Sequence, residues 1–241
     1  MNHLINKIES YPFDKLRRLL SSVNPNKKNN ELINLSIGEP KKRASKKVLS
    51  ILASNKELFS QYPPLGSMNI LVSAYKSYLS KRFNIKEVAN DNILNLGGTR
   101  EGTFSVIQSL FNKKIKSKKP YVLMPNPFYQ IYGGATLLAG GISKQINLNE
   151  DNGFSLDLNS INENIWKKCQ IFVACSPSNP TGSVLKEDEI RKIIKLSRKY
   201  GFYIVSDECY IDIYRESKPK SFIEISYKQF RNFKNIVSLH S

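Results

Sequence analysis

Strand-like and helix-like segments alternate along the sequence, which predicts an α/β fold with a mainly parallel sheet sandwiched by helices. Three observations carry this. Short runs rich in β-branched and aromatic residues recur, amphipathic stretches of helical period separate them, and turn-forming residues stand at the junctions. A sheet covered on both faces needs strands that are apolar on both sides, and ligands gather beyond the C-terminal ends of such strands.

Taken in order, Lys46 to Phe59 and Met68 to Phe83 read as amphipathic helices. A first strand is expected at Ile93 to Leu96. The helix Thr99 to Phe111 follows, its apolar side built from Phe104, Val106, Ile107, Leu110 and Phe111. Strands are expected at Tyr121 to Met124, Ser143 to Leu148 and Ile171 to Cys175. Lys186 to Tyr200 places Ile190, Ile193, Ile194 and Leu196 on one side of a charged helix, and strands at Tyr203 to Ser206 and Ile236 to Leu239 close the series. The chain carries no internal repeat and no low-complexity tract.

With 241 residues, 40% of them hydrophobic, the chain can bury a core as one large domain or as a domain plus a small lobe. No apolar run reaches the ~18 residues of a membrane span, and MNHLINKIESYPF lacks the marks of a signal peptide. Cytoplasmic residence and no membrane partner are expected. Cys169, Cys175 and Cys209 form no paired motif and are read as reduced thiols. His3 and His240 are the only histidines, too few for a histidine-rich metal site or a Ser/His/Asp triad, so no metal is expected. The net charge of +17 is spread widely, with clusters at Lys41 to Arg43, Lys113 to Lys119 and Lys192 to Lys199. None matches a nucleic-acid motif, so solvated helix faces and attraction of small anions are expected, and no nucleic acid.

Three segments carry chemistry. In Asn95 to Gly102, NLGGTREG, the glycines turn the chain so that free N–H groups open a helix, a site for an anion that Thr99 and Arg100 could extend. The alternative is a plain glycine turn. In Ser176 to Gly182, SPSNPTG, the prolines force an irregular turn after a strand; the Asn179 amide either donates to a ligand oxygen or closes an Asx turn. Asp207, in SDECY, leaves the buried end of a strand as a carboxylate in want of a positive partner, or else as a cap. Tyr210 reaches the same pocket or packs on the core. Glu208 points to the face opposite Asp207, since neighbours on an extended segment alternate, so the two are no acid and base couple.

The ordered set of INLSIGEP, a YPP segment, GGTREG, PNPFYQIYGG, SPSNPTG and SDECY, from about Tyr11 to Ser241, resembles the class I/II aminotransferases of fold type I, which use pyridoxal 5′-phosphate (PLP). Within them the style of LSIGEPK, GGTRE and NPFYQIY is similar to bacterial succinyldiaminopimelate transaminases. The resemblance implies that Asp207 pairs with the protonated pyridine nitrogen, that Asn179 and Tyr210 bond the phenolic oxygen, and that Phe128 stacks on the ring. It implies phosphate ligation by Gly98, Thr99, Arg100 and Ser241, with Tyr62 reaching a dimer partner's phosphate. Gly38 would lie against the substrate carboxylate, as would Asn179. Residues 1–45 would belong to a small domain and 46–241 to a large PLP-binding domain, incomplete at its C-terminus. Amino acid and 2-oxo acid substrates follow, glutamate and N-succinyl-2-amino-6-oxopimelate among them, and so does a homodimer. Two departures stand out: Gly66 comes one position earlier after Tyr62 than the family pattern, and NIVSLHS ends before the Schiff-base lysine. The expectation is therefore an N-terminal portion of such an enzyme, inactive by itself; the alternative is a short protein of the same fold that binds a ligand or partner without catalysis.

Overall fold

A computed structural model describes residues 3–8, 10–23, 36, 38, 42–62, 69–113 and 120–241. The expected sites at INLSIGEP and after Tyr62 lie mostly outside the described residues. The chain forms two compact units, one of residues 9–65 and one of residues 1–8 with 66–241.

The smaller unit contains α1 (Pro12–Leu20), α2 (Lys46–Ser54) and a 3₁₀ turn at Lys56–Ser60, and none of these elements buries a residue. Ser45 caps α2 by accepting from the Lys47 N–H at 3.3 Å. The helix expected to run from Lys46 to Phe59 breaks at Asn55, whose side chain bonds the Ile51 carbonyl at 2.8 Å and competes with the next helical turn. Val48, Leu49, Ile51 and Leu52 of α2 all remain exposed, as do Leu58 and Phe59.

In the larger unit, α3 (Asn69–Phe83) and α4 (Thr99–Leu110) precede β1 (Tyr121–Asn126), α5 (Gln130–Ala139) and β2 (Ile142–Asn147). Then come α6 (Glu163–Lys168), β3 (Cys169–Cys175), α7 (Glu187–Tyr200), β4 (Tyr203–Asp207), α8 (Phe222–Phe230) and β5 (Ile236–Leu239). The five strands pair in parallel in the order β2-β1-β3-β4-β5. The strand expected at Ile93 to Leu96 is not formed. Ile93 is buried and extended, but Leu94 and Leu96 are exposed and the segment pairs with no strand among the described residues. Apolar content alone does not make a strand: the Ile93 N–H turns instead to the Asn90 carbonyl at 3.0 Å, closing the preceding 3₁₀ turn.

The central β3 is buried along its whole length, as a strand covered on both faces must be. Its odd-numbered side chains Ile171, Val173 and Cys175 join Val122, Met124 and Val205 against α4 and α5 through Ile107, Tyr132, Ala135 and Ala139. The alternate set, Phe172, Ala174 and Ile204, packs with Trp166, Ile190, Ile193, Ile194, Phe222 and Ile225 of α6, α7 and α8. A third cluster sets Leu79 and Phe83 of α3 against Ile85, Ile211 and Tyr227. Gly102 lets α4 approach closely, since a β-carbon there would meet a Leu96 methyl at 2.4 Å. No described helix is long and apolar enough to cross a membrane.

Candidate functional site

The strand order reverses direction between β1 and β3, and at such a switch point the loops beyond the strand ends part to leave a crevice. Three groups converge there: Tyr132 from the first turn of α5, Cys175 at the end of β3 and Asp207 at the end of β4. Tyr132 is fully buried and donates from its hydroxyl to Asp207 Oδ2 at 2.6 Å. The Cys209 N–H donates to Asp207 Oδ1 at 3.3 Å. Asp207 is 7% exposed, yet among the described residues no basic side chain pairs with it. A buried carboxylate held by neutral donors alone retains its demand for a cation.

Burial, and then the nearby Asp207 carboxylate, push the Cys175 thiol up to about 11 and the Cys209 thiol up to about 12. Burial likewise raises the Tyr132 phenol, with Cys175 and Asp207 adding to it, so it remains a donor. Tyr210 is 39% exposed and its phenol is raised by burial, with Cys209, Cys175, Asp207 and Tyr129 adding to it.

The glycine-rich turn does open a helix. Gly98 precedes α4, and Thr99 begins it, while Arg100 projects into solvent. The first turn of this 12-residue helix leaves its N–H groups free, with Glu101 as its acidic residue. The Cys209 thiol donates to the Thr99 hydroxyl at 3.0 Å, and the Ser241 hydroxyl donates to the Cys209 carbonyl at 3.3 Å. Thr99, Cys209 and Ser241 are thereby drawn to one side of Asp207.

Asn179 is half-buried in the turn after β3, between cis peptide bonds at Ser176-Pro177 and Asn179-Pro180. Other residues hold that turn. Ser176 Oγ accepts from the Leu185 N–H at 3.0 Å, Thr181 Oγ1 from the Ser183 N–H at 3.3 Å, and Ser178 exchanges backbone bonds with Gly182 and Ser183. Among the described residues, the bonds that hold this turn come from these side chains and not from the Asn179 amide. Phe128 packs at the edge of the α4 and α5 core, where Gly133 makes room for its ring: a β-carbon there would meet Phe128 at 3.1 Å. Gly38 and Tyr62 lie in the smaller unit, both exposed, Tyr62 at 99%.

Tyr129, Tyr132 and His240 escaped sequence reasoning as site-region residues. Tyr132, Ala135 and Ala139 share one helical face, a spacing visible in PNPFYQIYGG once α5 is granted. The parity of NIVSLH would have put Ser238 and His240 on one face and Leu239 on the other. Glu208 does point away from Asp207: it accepts from the Ser206 hydroxyl at 2.7 Å and the Phe222 N–H at 3.0 Å, on the α8 side of the sheet.

The family profile "Aminotransferase class I and II" matches residues 30–239. An LL-diaminopimelate aminotransferase of Natranaerobius thermophilus is 27% identical over 92% of the chain and 57% of its own length. A probable aspartate aminotransferase of Methanocaldococcus jannaschii is 32% identical over 79% of the chain and 49% of its length. An aminotransferase crystal structure from Neisseria meningitidis superposes with a TM-score of 0.91 at 35% identity, covering 100% of the chain and 61% of that protein. Aminotransferase AspB of Helicobacter pylori gives 0.88 at 31% identity, with 97% and 60% covered. The chain thus spans about half to three-fifths of the length of the relatives it matches.

Proposed function

Since the chain belongs to the class I and II aminotransferase family, we propose that the whole protein exchanges an amino group between an amino acid and a 2-oxo acid. The family works with PLP, whose protonated pyridine ring, when bound, draws electrons away from the substrate Cα. The observation that carries the reading is Asp207: a buried carboxylate at the switch point, held by neutral donors from Tyr132 and Cys209 and lacking a basic partner among the described residues. That unmatched charge fits a pyridinium N–H. Tyr132 keeps Asp207 oriented toward the crevice. Asn179 and Tyr210 donate to the phenolic oxygen, Gly98, Thr99, Arg100 and Ser241 hold the phosphate at the start of α4, and Phe128 contributes an aromatic face. The lysine that binds the cofactor covalently and moves the substrate proton is assigned to sequence following Ser241 in the whole protein, so residues 1–241 alone are proposed to be inactive.

Residues 1–45 are assigned to the small domain, with Gly38 toward the substrate carboxylate. Tyr62 is assigned to a homodimer partner's phosphate; its full exposure and the uncovered apolar side chains of α2 support such a contact. Glutamate is the proposed donor, and a succinylated or diaminopimelate-type oxo acid the proposed acceptor. The net charge of +17 suits dicarboxylates, and several relatives carry the name LL-diaminopimelate aminotransferase. A cytoplasmic setting is proposed with them. The test is a donor and acceptor screen on the whole protein with added PLP. Turnover with glutamate, abolished by Asp207→Ala, supports the reading; turnover with other donors but none with glutamate removes the donor assignment, and failure to bind PLP removes the site.

A further inference from the structure

On the side of the sheet away from Asp207 lies a polar cluster that the proposed reaction does not use. Glu208 is 1% exposed, and His240 Nε2 stands 3.2 Å from its Oε2. The Ser238 hydroxyl lies 3.1 Å from the same nitrogen. Three rings of α3 enclose the imidazole edge-on, those of Tyr75, Tyr78 and Phe83, with centroids 5.7, 6.0 and 5.7 Å away. Beyond them Asp212 accepts from Tyr78 at 2.8 Å and from Arg82 Nε at 2.7 Å. Glu208 Oε1, meanwhile, accepts from Ser206 of β4 and from the first N–H of α8. One carboxylate and one imidazole so join β4, β5, α8 and α3.

Apolar side chains of similar volume would join the same elements without the cost of burying polar and ionisable groups, so packing alone does not account for this choice. What the pair adds is registry. The last ladder partners of β4 and β5 are Asp207 and Leu239. Past them the Glu208 N–H donates to the Leu239 carbonyl at 2.9 Å, the Glu208 and His240 side chains meet, and Ser241 bonds the Cys209 carbonyl. These three links carry the pairing beyond the strands, at the two backbone positions from which Asp207 and Ser241 face the crevice. We propose that Glu208 and His240 are positioning residues: joined behind the sheet, they fix the spacing between Asp207 and Ser241 so that ring nitrogen and phosphate of one cofactor are met together. This rests on the assignment of Asp207 and Ser241 to the cofactor.

The test uses the whole protein with Glu208→Gln, His240→Asn, the double variant, and Asp207→Ala as reference. PLP affinity, the pH midpoint of the bound cofactor's visible absorbance and the melting temperature are measured for each. Either single variant is expected to weaken PLP about tenfold and to move the absorbance midpoint, the double variant being no worse than the weaker single because the two act as one unit. Lowered melting temperatures with PLP affinity within about twofold and an unmoved midpoint would overturn the proposal, as would additive effects. If Asp207→Ala also binds PLP normally, it is the underlying site assignment that fails. Should the Glu208 and His240 variants not fold, the nitrogen-15 imidazole signal of His240 in the unmodified protein, assigned with the mild Ser238→Ala, decides: a shift on adding PLP supports the proposal and a constant signal overturns it.

Discussion

Asp207 and Glu208 are covalent neighbours with the same functional group, both buried at the end of one strand, and they face opposite sides of the sheet. Glu208 Oε1 accepts from a hydroxyl and a helix N–H, and the His240 imidazole of the same chain stands 3.2 Å from Oε2. Asp207 has only the Tyr132 hydroxyl and one backbone N–H. Burial makes both carboxylates costly; Glu208 faces an imidazole of its own chain, whereas Asp207 faces neutral donors only, which is why an outside cation is the proposed partner of Asp207.

The comparison predicts opposite outcomes for the same truncation. Asp207→Ala should reduce kcat/KM of the whole protein by ~10³-fold, about 4 kcal/mol, since the pyridinium loses its partner. Stability without cofactor should fall by no more than about 1 to 2 kcal/mol, because relief of a buried charge offsets part of the hydrogen bond lost from Tyr132. Near-normal turnover would overturn the role proposed for Asp207. Glu208→Ala should instead cost about 3–5 kcal/mol of unfolding free energy, measured by denaturant, by leaving the first α8 N–H and the Ser206 hydroxyl without their acceptor and His240 without its carboxylate. Burial alone would raise the Glu208 carboxyl, but hydrogen bonds from His240, Ser221 and the Phe222 N–H hold it below the ordinary carboxylate range. A group lowered in the folded state stabilises fully above its unfolded pKa, and that stability is lost as pH falls through the folded value. Glu208→Gln should therefore flatten the decline in stability on the acid side and leave the neutral-to-alkaline slope alone.

How much of this contrast could be read from the sequence depends on the range of the physics involved. The parity of an extended segment is local, so the opposite directions of Asp207 and Glu208 were legible in SDECY, as were five of the six expected strands and the α4 start at GGTREG. What each carboxylate meets is not local. Tyr132 reaches Asp207 from 75 positions away, and His240 reaches Glu208 from an element that sequence reasoning treated as holding an isolated histidine. Ile93 to Leu96 failed for the complementary reason: its composition suits a strand, but a strand exists only with a partner, and partners are set by topology.

Tyr132→Phe should have a smaller effect on the same carboxylate. It removes one neutral donor from Asp207 while conserving the ring in the α4 and α5 core, so stability should fall by about 1 to 2 kcal/mol. PLP binding should weaken by about tenfold as the carboxylate loses its orientation. An unchanged affinity would mean that Cys209 alone suffices to aim Asp207.

The smallest expected effect comes from two thiols that report the charge of Asp207 without any cofactor chemistry. Cys175 and Cys209 are raised to about 11 and about 12, first by burial and then by Asp207, so both should label slowly with iodoacetamide at pH 8 under native conditions. Neutralising the carboxylate with Asp207→Asn removes the second cause and leaves the first. The thiol pKa should fall and the thiolate fraction rise, read as a faster labelling rate at Cys209, the less buried of the two. Glu208→Gln, on the far face and already matched, should leave that rate alone. If instead Glu208→Gln accelerates labelling and Asp207→Asn does not, then the carboxylate facing the crevice is not the unmatched one, and the division of labour between the two neighbours is reversed.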